Sequence, residues 1–72
     1  MKTVLVFKTS VEAPRDVRQL QPKLNQLVNG SGCWNFDLED CDNILRVETQ
    51  NLQAHSISEL LENHGHSCIE LH

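Results

Sequence analysis

The chain has no tyrosine, one tryptophan and two phenylalanines. Proteins that hold single-stranded nucleic acid stack its bases on exposed aromatic side chains. Only Phe7 could offer a ring from a central strand, and its surroundings predict a core position. Positive charge is also scarce: six Lys and Arg stand against ten Asp and Glu, for a formal net charge of −4. The basic residues are scattered from Lys2 to Arg46 with no run among them. Phosphate binding draws on clustered cations, so nucleic acid is not an expected partner.

Other absences exclude further classes. The apolar run "VLVF" is far too short to cross a bilayer, and no basic segment followed by an apolar stretch opens the chain. No membrane insertion is expected. The three cysteines, Cys33, Cys41 and Cys68, leave one over in any pairing and match no disulfide framework. That makes a reducing cytoplasm the expected compartment. No glycine-rich phosphate loop follows the first apolar run, and no nucleophile elbow surrounds Ser10 or Ser31. With 72 residues, residues 1–72 make one domain, which buries only about 60% of the surface its unfolded chain exposes. So small a core leaves little room for a dry catalytic cavity, and the chain is read as non-enzymatic.

What is present is a regular succession of elements. "KTVLVFKT" at 2–9 is a short, β-branched, largely apolar strand. Pro14 suits a helix's first turn, where a missing N–H is no loss. Val17, Leu20, Leu24, Leu27 and Val28 then form one apolar stripe at helical spacing. Pro22 interrupts that stripe and predicts a kink or a tight first turn. "NGSG" at 29–32 ends the helix.

In "CWNFDLED", Trp34, Phe36 and Leu38 alternate with polar residues, as in a half-buried strand. "DCDN" at 40–43 supplies a turn, and "ILRVET" a second strand with Leu45 and Val47 facing inward, which makes a hairpin. Ile57, Leu60, Leu61 and His64 restore helical spacing; Ser56 or Ser58 is the expected cap and Gly65 the stop. "HSCIELH" closes the chain as a strand. Here Ile69 and Leu71 claim one face and Cys68 the other, which predicts a bulge or an edge-strand end. The order strand, helix, strand, strand, helix, strand predicts an α+β, ferredoxin-like βαββαβ fold: a four-stranded antiparallel sheet with both helices on one face.

The chain resembles the heavy-metal-associated domains of copper chaperones and metal-transporting ATPases over nearly its whole length. That family has a Met-x-Cys-x-x-Cys loop after the first strand, with apolar residues one, four and eight positions past the second cysteine. Val17, Leu20 and Leu24 hold those positions relative to Asp16. In this register Val11 stands for the methionine, and Ala13 and Asp16 for the two cysteines. "FDLE" at 36–39 is similar to the family's Val-Asp-Leu-Glu strand. "LLENHGHSC" at 60–68 is similar to its second helix running into Gly-Tyr-x-Ala, with His66 for the tyrosine and Cys68 for the alanine.

Two thiolates three residues apart suit soft, exchangeable Cu(I). An alanine and a carboxylate do not, so thiol-based copper transfer is not expected. The resemblance implies that the turn after the second helix lies beside the first loop, bringing His66 and His64 near Asp16 and Glu12. A histidine–carboxylate set suits zinc or another borderline metal better than Cu(I), and zinc or copper is the metal such a site would take. Structural or surface roles for both histidines are the alternative, and Cys68 reads as a small core residue. Cys33 and Cys41, flanking a strand, are expected to lie far from the first loop.

Three functions follow as expectations. The first is a domain acting through contacts with another protein or itself, with the acidic cluster Asp37, Glu39, Asp40 and Asp42 as one surface. The second is a metal-binding protein using Asp16 and His66 with His64 and Glu12. The third is a small-molecule-sensing regulatory module.

Overall fold

The computed structural model describes residues 3–28, 32–39, 41–50 and 52–71. Its elements are β1 (Thr3–Thr9), α1 (Pro14–Val28), β2 (Cys33–Asp37), β3 (Ile44–Thr49), α2 (Ala54–Asn63) and β4 (Cys68–Leu71). The four strands form one sheet in the order β2-β3-β1-β4, with every neighbouring pair antiparallel. This is the expected α+β arrangement, consistent with a ferredoxin-like fold.

Strand alternation gives the sheet two unlike faces. Phe7, Leu45, Val47 and Cys68 point toward the helices and join Leu20, Leu24, Val28, Ile57 and Leu61 in one buried cluster. Trp34, Phe36 and Val17 pack against its margin. Both helices therefore lie on one side of the sheet. Each fully buried large apolar side chain contributes about 1.5–3 kcal/mol, so this single cluster carries most of the fold's cohesion.

The helix termini correct several expectations. α1 runs as one helix through Pro22, and Pro14 holds its first turn, with Asp16 N–H and Val17 N–H both bonded to Ala13 O. Pro22 is exposed, so water can satisfy the Arg18 carbonyl that loses its helical partner there. Neither Ser56 nor Ser58 caps α2. The helix starts at Ala54, and Gln53 is its N-cap, in extended backbone without a side-chain bond.

At the other end of α2, Gly65 N–H bonds Glu62 O at 3.0 Å and His66 N–H bonds Leu61 O at 2.9 Å. With Gly65 at φ +83°, this is the paired-bond ending that a left-handed residue makes possible. The stop expected after the first helix falls on 29–31, outside the described residues; Gly32, next to them, packs against the Glu48 backbone.

β4 is an edge strand, the second of the two expected arrangements, and needs no bulge to settle its alternation. Cys68 turns into the core, while Ile69 and Leu71 turn to the sheet's other face and stay exposed.

Candidate functional site

Chain direction puts three connections at one end of the sheet: 10–13 after β1, the described residues 38–39 and 41–43 between β2 and β3, and 64–67 before β4. Hydrogen bonds lock them together. Ser67 N–H donates to Ser10 Oγ at 2.8 Å, and Ser10 N–H donates to Ser67 O at 3.2 Å. Thr9 N–H donates to Asp42 O, and Thr9 Oγ–H donates to Asn43 O at 2.7 Å. The same Thr9 oxygen accepts Val11 N–H at 3.2 Å. The buried Thr9 hydroxyl is thus the junction of the first loop and the hairpin turn.

Sequence reasoning missed this residue, although its signal is present. Thr9 follows Phe7 by two positions on the inward face, as Thr49 follows Val47. Thr49 likewise accepts Leu52 N–H at 3.1 Å, fixing the entry to α2. At an inward strand end, a hydroxyl satisfies loop N–H groups that water does not reach.

The proposed metal ligands sit around this end. Glu12 is exposed on the first loop, Asp16 is half-buried in the first turn of α1, and His66 is half-buried before β4. His64 is the C-cap of α2 rather than part of its apolar stripe. Its ring is exposed, and Nδ1–H donates to Leu60 O at 2.9 Å. A carbonyl only accepts, which assigns the proton to Nδ1 and leaves Nε2 outward.

Cys41 is at this same end, on the turn bonded to Thr9, and not remote from the first loop as its strand-flanking position suggested. Cys33 stands at the far end of β2, where its thiol faces Glu48 Oε2 at 3.5 Å. Among the described residues, no three His, Cys, Asp or Glu side chains group closely enough to hold an ion. Cys68 is buried, with its thiol pushed above the ordinary value of 9.0 mainly by desolvation. The Ser58 hydroxyl, 3.9 Å away, lowers it, and the Glu62 carboxylate raises it further. A raised thiol pKa opposes thiolate chemistry at neutral pH.

Two other surfaces have features of binding sites. A cleft of about 350 Å³ lies between the start of α1 and β2, floored by Val17, Trp34, Phe36 and Leu38, with Arg18 on its rim. Trp34 is held there by its indole N–H, which donates to Asn25 Oδ1 at 2.8 Å, and by an edge-on contact with Phe36 at 5.9 Å.

The second surface is the sheet face turned away from the helices. Val4, Ile69 and Leu71 are 53%, 61% and 41% exposed, and they are the chain's exposed large hydrophobics among the described residues. The strand register puts all three on that face: Val6 pairs with Leu71, Lys8 with Ile69, and Val4 lies two residues along β1 from Val6. No family model, no curated protein and no solved structure matches this chain. Geometry alone therefore carries the functional reading. Among the described residues, no helix is long and apolar enough to cross a membrane.

Proposed function

We propose that this chain is a small non-catalytic interaction domain that works by docking another protein chain on its open sheet face. One observation carries the reading. The three exposed large hydrophobics share one face of β1 and β4, whereas isolated apolar residues scattered over a surface would have no such meaning. The scaffold resembles a metallochaperone domain. Its first loop has Ala13 and Asp16 where thiols would stand, so the useful surface moves from loop to sheet.

The test is site-specific photocrosslinking in the source cell. A photoreactive side chain at Val4 should yield a discrete protein adduct, and one at the exposed Gln21 of α1 should not. The same diffuse pattern from both positions would overturn the proposal.

A second reading, small-molecule sensing, has the cleft beside Trp34 in its favour. Its size lies near the lower end of ligand pockets, and Arg18 gives an apolar floor a cationic rim. Such a site takes an apolar anion, and an anilinonaphthalene sulfonate probe should quench or shift Trp34 emission stoichiometrically. Loss of that response on Arg18→Gln would support the reading, and an unaltered Trp34 spectrum at saturating probe would remove it.

A further inference from the structure

We infer that the cleft beside Trp34 takes an extended segment of another protein, laid as a further strand along the free edge of β2, with a bulky apolar side chain in the cleft and a carboxylate on Arg18. This site is separate from the open sheet face. β2 is an outer strand, because the order is β2-β3-β1-β4.

Hydrogen-bond alternation shows what that edge offers. Near the end of β1, Thr9 N–H bonds Asp42 O on the β3 side, and Ser10 N–H bonds Ser67 O on the β4 side. Successive residues of an antiparallel strand turn their N–H and C=O groups to opposite neighbours. Leu5 and Phe7 thus bond Val47 and Leu45 of β3. Between and beyond these, Arg46 and Glu48 bond Asn35 and Cys33 of β2. The N–H and C=O groups of Trp34 and Phe36 are left pointing out of the sheet, in the spacing that an added strand needs.

The same two residues turn their side chains to the helix side, where they floor the cleft with Val17 and Leu38. Asn35 also lines the cleft, although alternation sends its side chain to the open face beside Arg46. Its backbone forms that part of the wall. A strand on this edge meets a hydrogen-bonding ladder and, at alternate residues, an apolar recess. Strand addition uses both, with main-chain bonds for affinity and pockets for alternate side chains for specificity. The volume, about 350 Å³, is small for a whole ligand and suits a side chain presented by a strand.

Charge gives the segment its sign. Among the described residues, Arg18 is the one charged side chain lining the cleft; it is exposed and makes no ion pair. The neighbouring acids lie elsewhere. Asp37 alternates to the open face, Glu39 is in the turn beyond β2, and Asp16 is roughly 200° round the helix from Arg18. A carboxylate on the incoming segment is the matching group.

A peptide library displayed on phage and selected against the full chain in reductant should enrich sequences with Asp or Glu within two residues of a large apolar residue. An end-blocked synthetic peptide of the enriched sequence should shift Trp34 emission and slow amide exchange at Trp34 and Phe36. N-methylation of the peptide residues that face β2 should weaken binding about fivefold or more, and methylation of the alternate residues should not. Arg18→Glu should weaken it roughly tenfold with an intact circular dichroism spectrum, while Ile69→Lys on the open face should leave it unchanged.

No enriched sequence, equal tolerance of N-methylation at every peptide residue, or binding indifferent to Arg18→Glu overturns the inference. A sulfonate probe that binds at Trp34 when no peptide is enriched also removes it, and keeps the small-molecule reading of the cleft. The crosslink at Val4 reports on the open sheet face alone.

Discussion

Ser10 and Ser67, 57 positions apart in sequence, join their two loops through a reciprocal pair of hydrogen bonds, one to a side chain and one to the backbone. The pair ties the start of the first connection to the residue before β4, beside His66 in the chain. Ser10→Ala removes the Oγ acceptor and leaves Ser67 N–H to water. A loss of about 1 kcal/mol is expected in urea unfolding, with faster amide exchange at Ser67. An unchanged exchange rate at that amide would show the bond to be unimportant.

Gly32 and Gly65 are needed for different reasons, and substitution separates them. A side-chain carbon on Gly32 would collide with the Glu48 backbone carbonyl in β3, and backbone does not yield as a flexible side chain does. Gly32→Ala should cost about 1–3 kcal/mol by forcing β2 away from β3. Gly65 has open space around it and a φ of +83°. Gly65→Ala should cost about 1–2 kcal/mol from the left-handed backbone alone, and Gly65→Asn distinctly less. Equal losses for alanine and asparagine at position 65 would contradict that origin.

Cys68 makes stability depend on alkaline pH. Burial raises its thiol pKa in the folded chain above the unfolded value of 9.0. Below pH 9.0 both states hold the proton and the folded state keeps its full stability. As pH rises beyond that, the unfolded chain loses its proton first, and stability falls until the folded thiol also titrates. Wild type should thus lose stability above that pH more steeply than Cys68→Ala. Alkylation by iodoacetamide at neutral pH should label Cys33 and Cys41 well before Cys68. Parallel pH profiles for the two proteins would refute the assignment.

Trp34 is the chain's one tryptophan, and there is no tyrosine to obscure it. Its indole bond to Asn25 fixes the ring over the margin of α1. Asn25→Ala should shift the emission maximum to the red and cost about 0.5–1 kcal/mol. An unshifted spectrum would mean that packing against Phe36 alone holds the ring.

The elements were legible because their signals are local. The alternation of Trp34, Phe36 and Leu38 and the stripe of Leu20, Leu24 and Val28 each repeat with the period of one regular structure. Connection lengths and handedness then leave few ways to assemble four strands and two helices. Caps were read less well. Serine at positions 56 and 58 suits a helix start by chemistry, but Leu52, held by Thr49, sets where α2 begins.

The amino-acid order by itself determined the six elements, the inward positions of Phe7, Leu45 and Val47, and the lack of a thiol pair in the first loop. Only the tertiary structure decided which neighbours the remaining residues meet. Ile69 and Leu71 look like core residues in sequence, yet lie on the uncovered side, because one face of the sheet receives both helices and the other receives none. The contiguity of those two with Val4 comes from pairing between β1 and β4, the first and last strands of the chain. Local periodicity fixes which way a side chain points; strand pairing over long separations fixes what lies beside it.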